Sequence, residues 1–166
     1  MGLHLAYESD DEPGELVKPQ SYDFERLSGL APNLPPSAGL IVFDNVCVLC
    51  SGFVQWVLAR DHKGLFWFTA AQGQVGQAIY ADLHMDLVNF ETNLVVIDGM
   101  VYGKLGAFVQ VASRLGGIWR ASLIFSVLPW RVQNWLYDLV AANRYRLFGK
   151  RESCWLPRPG YLDRVI

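Results

Sequence analysis

An α/β domain in β-α-β-α-β-β-α order, with a central mixed sheet of about four strands and extra C-terminal helices, is predicted for residues 40–166 of this 166-residue sequence. Three observations carry it. Short apolar runs alternate with stretches of helical spacing, an Asp-Gly pair separates two β-prone runs, and a Cys-x-x-Cys pair falls where the first run gives way to the first helical stretch. The length suits one compact domain with an appended segment.

Leu40-Ile41-Val42-Phe43 is a short apolar run of the kind a buried strand shows, stopped by Asp44-Asn45. Cys50, Phe53, Val54, Val57 and Leu58 recur at three and four residues and mark a helix from about Cys47 to Arg60, ended by Lys63-Gly64. Leu65 to Thr69 is aromatic and β-prone, and Gln74 to His84 is a weaker helical stretch. Leu94 to Ile97, then Asp98-Gly99, then Met100 to Tyr102 reads as a two-residue hairpin, because Asp and Gly tolerate the positive φ that its turn requires. Leu105, Phe108, Val109, Ala112 and Leu115 mark a further helix closed by Gly116-Gly117. Pro129 suits a first helical turn, with Val132, Trp135, Leu136, Leu139 and Val140 as the inward stripe of a last helix to about Arg146. Strand-helix-strand implies parallel pairing with a right-handed crossover, and the hairpin adds antiparallel strands. This is the succession of elements found in the thioredoxin fold.

Residues 1–39 read as a separate, poorly ordered extension. They hold five prolines and seven acids against Lys18 and Arg26, although Tyr22, Phe24, Leu27 and Leu30 leave room for one turn docked on the body. Residues 40–166 hold nine acids and twelve bases. The net charge of −2 and the small basic cluster near the C-terminus give no reason to expect nucleic-acid binding. Apolar residues, at 52%, exclude wholesale disorder.

Three cysteines are too few for a disulfide scaffold, and the N-terminus has neither a basic start nor a long apolar run, so a reducing cytoplasm is expected. No apolar stretch reaches the about 20 residues that span a bilayer. Ile118 to Trp130 reads as core or a covered helix, with peripheral contact to a membrane surface as the alternative, because only Arg120 and Arg131 flank it. The abundant Trp and Tyr residues read as core.

The chemistry centres on Cys47-Val48-Leu49-Cys50. Residues three apart on a helix face the same side, with Cβ atoms about 5–6 Å apart, so the two sulfurs can pair reversibly. Cys47, at the helix start, meets the positive end of the backbone dipoles, worth up to about 2 kcal/mol, which is enough to move a thiol from about 8.5 to about 7. That makes Cys47 the attacking thiol and Cys50, one turn further in beside Phe53 and Val54, the resolving one. The alternatives are a structural pair of buried thiols, or half of a metal site that Cys154 with His62 or His84 would complete; the spacing does not ask for such a site, and no metal is expected. Asp44 disfavours a thiolate nearby, so it is not the activator of Cys47. It is either the base that accepts the Cys50 proton during resolution or a turn residue closing the strand-helix junction.

Asp44-x-x-Cys47-x-x-Cys50-Ser51, the strand-hairpin-helix middle, and Asn143-Arg144-Tyr145-Arg146-Leu147-Phe148-Gly149 together resemble the DCC family of predicted thiol-disulfide oxidoreductases over about residues 40–155. The resemblance implies a thioredoxin-like fold and disulfide exchange through the two cysteines, but supplies no substrate. Asn45 stands where the family usually has Gly, and Leu105-Gly106-Ala107 lacks the family's frequent Ser. Glu91 to Leu94 lacks the proline that thioredoxins carry before the hairpin, so substrate docking there differs. Arg144 and Tyr145 have two readings: a cationic helix end with Tyr145 on the core, or a positive charge that stabilises the Cys47 thiolate. Cys154 reads as structural or as a third redox thiol.

The expectation is a thiol-disulfide oxidoreductase acting on protein or small-molecule disulfides and dithiols, with Cys47, Cys50 and Asp44 as catalytic residues. It needs no organic cofactor, since the pair itself stores two electrons. The competing class is a non-catalytic binding module whose thiols are structural or hold a metal. Reduction potential, direction of catalysis, electron donor and oligomeric state are not encoded in any readable pattern.

Overall fold

The computed structural model describes residues 19–88, 90, 92–149 and 163–166, without the side chains of Phe24, Trp130, Ala141, Arg144, Tyr145, Leu147 and Phe148. Its strands are β1 (Gln20–Ser21), β2 (Gly39–Phe43), β3 (Phe66–Ala70), β4 (Leu94–Ile97) and β5 (Met100–Gly103). The helices are α1 (Phe24–Leu30), α2 (Val48–Leu58), α3 (Gln74–Asp82), α4 (Lys104–Leu115) and α5 (Trp130–Phe148), with a 3-10 segment Gly117–Val127 before the last. The sheet runs β1-β5-β4-β2-β3; β2 and β3 are parallel and the other neighbours antiparallel. This mixed α/β architecture is consistent with a thioredoxin-like fold.

Alternation along the strands divides the interior into two layers. Leu40, Val42, Leu94 and Val96 face one way, onto Tyr22, Leu27, Ile79 and Tyr80 of the α1 and α3 side. Ile41, Phe43, Phe66, Phe68, Val95 and Ile97 face the other way, onto Cys47, Cys50, Val54 and Val57 of the α2 region and Ala107 and Val111 of α4. Each such fully buried side chain contributes about 1.5–3 kcal/mol of transfer free energy. The cysteines therefore belong to the α2/α4 layer.

Turn chemistry fixes the hairpin as the sequence implied. Asp98 and Gly99 both take positive φ, 52° and 71°, and β4 pairs with β5 directly across them. At the end of β3, α3 presses so close that a Cβ on Gly76 would lie 2.2 Å from the Ala70 carbonyl oxygen, so only glycine fits there.

Two expectations change. The sheet has five strands rather than four, because Gln20–Ser21 adds to β5; a two-residue strand is too short to leave a periodic signature. Most of the described apolar side chains between Ile118 and Pro129, and the stripe on the last helix, are not core. Ile118 (79%), Ile124 (71%), Val127 (82%) and Trp135 (63%) are exposed, and Val132, Leu136, Leu139 and Val140 are open as well. Apolar periodicity marks a face that avoids water and says nothing about whether the chain itself supplies the cover.

The segment before β2 is tied down through Asp82 of α3. Its carboxylate accepts from Tyr22 Oη at 2.7 Å and from Arg26 Nε and Nη2 at 2.8 and 3.0 Å. Asp23 caps α1 by accepting from Glu25 N–H at 2.8 Å. Hydrogen bonding by Arg26 holds the Asp82 carboxyl below its ordinary range, and burial raises the Tyr22 phenol. A depressed carboxyl pKa stabilises the fold above the ordinary carboxylate value of about 3.9, and that contribution vanishes as pH falls through the lowered value. Asp82→Asn is expected to cost about 1 kcal/mol at pH 7, modest because Arg26 is half exposed, and to remove this acid-dependent part. Urea titrations at pH 7 and pH 3 check it; identical losses at both pH values would remove the ionised clasp from the account.

Candidate functional site

The β2–α2 junction is built around Cys47 as the N-cap of α2. Its backbone is extended (φ −80°, ψ 121°), which turns the side chain under the first helical turn, and Cys50 N–H donates to Cys47 Sγ at 3.3 Å. A helix leaves its first N–H groups without intrahelical partners, and here a sulfur accepts from one of them. Cys47 and Cys50 are both unbridged thiols. The sequence reading made Cys47, at the helix start, the attacking thiol. In the structure Cys47 is 0% exposed and Cys50 4%, because the capping rotamer draws Cys47 inward onto the α2/α4 core layer.

Asp44 is buried and shapes the loop. Its Oδ1 accepts from Val46 N–H at 3.1 Å and from Gln72 Nε2 at 2.7 Å. The same Gln72 side chain accepts from Asn45 N–H at 3.2 Å through Oε1, so the turn after β3 grips the loop after β2 at two points. Ser51, fully buried, donates to Cys47 O at 3.0 Å, with Val48 O at 3.2 Å beside it, which fixes the first turn from below. Asp44 therefore fills the turn-residue role that was one of its two readings. Gln72 was missed: nothing near it in sequence signals a partner 28 residues away.

Along the outer side of α2 lies a largely apolar cavity of about 730 Å³, lined by Val48 and Leu49 from between the cysteines and by Phe53, Trp56, Phe108 and Trp119. Trp56 meets Trp119 edge-on at 4.8 Å, and the Arg60 guanidinium lies 5.0 and 5.1 Å from the two ring centres, which ties the 3-10 segment to α2. Polar groups on this cavity include those of Asn93, whose Oδ1 is buried without a hydrogen-bond partner among the described residues, and of Lys104. Lys104 has a buried side chain, holds Asp138 at 2.9 Å, and takes φ +53°, a left-handed backbone that costs a lysine on the order of 1 kcal/mol. Neither residue stood out in the sequence, because a single Asn before a strand and a single Lys opening a helix are ordinary there.

Arg144 and Tyr145 fall in the last turns of α5, but their side chains lie outside the described residues, as does all of Cys154. Asp44, Cys47 and Cys50 are brought together on one loop and one helical turn. Among the described residues, no group of three or more His, Cys, Asp or Glu side chains could hold a metal ion.

Residues 41–150 match the family model described as DCC1-like thiol-disulfide oxidoreductase. The chain is similar to YuxK of Bacillus subtilis (strain 168), named an uncharacterized protein, at 36% identity over 127 residues, covering 76% of this chain and 93% of that one. It is also similar to a chloroplastic DCC family protein of Arabidopsis thaliana, at 27% identity over 118 residues, covering 70% of this chain and 69% of the relative. No solved structure gives a significant match.

The Gln72 bridge gives a direct expectation. Gln72→Ala leaves the part-buried Asn45 N–H without its acceptor and removes one of the donors to Asp44, a loss of about 1–3 kcal/mol. Thermal unfolding combined with amide exchange at Asn45 and Val46 measures it. An unchanged midpoint with unchanged protection would show that the grip is not needed.

Proposed function

This chain belongs to the DCC1-like thiol-disulfide oxidoreductase family, and from that premise we propose that it exchanges a dithiol for a disulfide through Cys47 and Cys50. The observation that carries the reading is the Cys50 N–H donating to Cys47 Sγ at the N-terminus of α2. A donor aimed at the sulfur, with the helix dipole behind it, favours the thiolate over the thiol, whereas burial opposes it.

The Cys47 thiolate attacks one sulfur of a disulfide R–S–S–R′; a new Cys47–S–R bond forms, the S–S bond breaks, and R′S⁻ leaves. Cys50 gives up its proton, attacks Cys47 Sγ, forms the Cys47–Cys50 disulfide and releases RS⁻. The substrate gains two electrons and the pair loses two, so turnover needs a dithiol donor to reduce the pair again. Substrates of this step are protein or small-molecule disulfides. Asp44 is the proposed acceptor of the Cys50 proton, and Arg144, with Tyr145, the proposed positive setting of the thiolate. A reducing cytoplasm is the proposed compartment, supported by the odd and small number of cysteines; among the described residues, no helix is long and apolar enough to cross a membrane.

Burial of both thiols favours the second reading, a thioredoxin-like binding module with structural thiols. Alkylation rates against pH, in a Cys154→Ser background, separate the two. For the enzyme, Cys47 ionises below the ordinary thiol value of about 8.5 and Cys50→Ser accumulates a mixed disulfide with oxidised glutathione, while Cys47→Ser forms none. Two inert thiols ionising above that value, with no mixed disulfide trapped, would leave only the module.

The role of Asp44 has its own test. Asp44→Asn is expected to slow the second, resolving step by about a hundredfold at pH 7, with recovery as pH rises and no change in the first step. Equal slowing of both steps at every pH would reduce Asp44 to its turn.

A further inference from the structure

Helix α2 presents two faces. Cys50, Val54, Val57 and Leu58 join the buried layer against the sheet, whereas Val48, Leu49, Gly52, Phe53 and Trp56 recur at helical intervals along a second face and wall the cavity of about 730 Å³. That second face begins with the two residues held between the cysteines, so the cavity abuts the turn that carries the proposed chemistry. Side chains of α2, α4, α5 and the 3-10 segment all contribute to its walls, which makes it a concave site rather than one uncovered helix face. Its volume lies within the about 300–1,000 Å³ that small-molecule sites occupy.

Two features of the walls describe an occupant. Phe53, Trp56 and Phe108 form one cluster with Trp119; Phe53 lies 5.9 Å from Trp56 and 5.8 Å from Phe108, and all four rings are half-buried rather than sealed into the core. Rings left partly open offer faces and edges to a further ring. Gly52 stands between Val48 and Trp56 in the middle of the cavity face, and among the described residues a Cβ there would meet nothing within 4 Å. Glycine weakens a helix interior, and no neighbour demands it here; what the missing side chain leaves is room.

The described wall carries one charged side chain, Lys104, and Asp138 holds it at 2.9 Å, so a carboxylate on a ligand would have to displace that partner. An extended peptide would bring a backbone N–H and C=O with every residue onto apolar walls that leave most of them unanswered. An uncharged molecule built on a ring meets neither penalty.

We infer that this cavity is the substrate pocket of the exchange site and receives the aromatic group of a small, uncharged disulfide. The inference rests on the exchange proposed at Cys47 and names its substrate class. The ring-bearing group is R: the Cys47–S–R bond forms, the S–S bond breaks and R′S⁻ leaves. Cys50, having lost its proton, then closes the Cys47–Cys50 disulfide and releases RS⁻, so the pair supplies both electrons.

Two measurements on the full chain, in a Cys154→Ser background, decide it. The first is the rate of exchange with dithiodipyridine and with bis(hydroxyethyl) disulfide, each divided by the rate of free mercaptoethanol with the same disulfide at the same pH, which removes the difference in leaving group. The normalised rate for the ring-bearing disulfide is expected to be larger by about tenfold or more. The second is calorimetric binding of dipyridyl sulfide, which has no S–S bond to exchange. Gly52→Phe, which fills the open space on α2, should bring the two normalised rates within about twofold of each other and abolish binding of the sulfide without lowering the urea midpoint. Equal normalised rates in the parent chain, no binding of the sulfide, or an unchanged preference in the variant overturns the inference and leaves exchange at Cys47 standing. Exchange with neither disulfide while the sulfide still binds overturns the exchange itself, and the substrate assignment with it.

Discussion

The contact on which the site depends is the one between Cys50 N–H and Cys47 Sγ, and it exists because Cys47 occupies a capping position rather than a helical one. An N-cap residue must be extended, its side chain must turn back towards the helix, and its acceptor must meet a backbone donor that would otherwise go without. Oxygen usually plays this part. With sulfur in that place, the stabilisation that starts the helix also bears on the ionisation of the thiol. Any gain in thiolate character is then coupled to the stability of the first turn of α2.

That turn is held from two sides. Gln72 joins the loop after β3 to Asp44 and Asn45, and Ser51 holds the carbonyl of Cys47. The parallel pairing of β2 with β3 makes this economical: the C-terminal ends of both strands emerge side by side, so a side chain just after one reaches the backbone just after the other. The antiparallel neighbour β4 closes the opposite flank and brings Asn93 to the cavity beside α2.

What the sequence made legible follows from how local each signal is. The strands from Leu40, Leu65, Leu94 and Met100 could be read because burial on both faces of a sheet leaves a continuous apolar run, and Asp98-Gly99 because its turn needs positive φ. The position of the cysteine pair at a strand-to-helix junction was equally readable. Gln72, Lys104 and the strand at Gln20 were not, since each acquires its role from partners tens of residues away. The exposed stripe on the last helix was misread for a related reason: hydrophobic spacing reports which side chains align, and the solvent on the other side is a property of the whole fold.

Burial and reactivity meet at Cys47, and their balance governs any chemistry there. A disulfide must approach the attacking sulfur in line, and a sulfur with no exposed surface offers no such approach in the resting arrangement. The proposed exchange would therefore require an opened first turn, and its observed rate would be the intrinsic rate multiplied by the open fraction. Opening breaks the Cys50 N–H contact, so the state that admits substrate is also the one in which the thiolate loses its donor. Val48 and Leu49 stand between the two cysteines and on the cavity wall, so a ligand filling that cavity presses on the turn that must open. An apolar group bound beside α2 can thus favour the open turn only if it contacts that state more extensively than the closed one, which links the choice of substrate to the accessibility of the sulfur through a single helical turn.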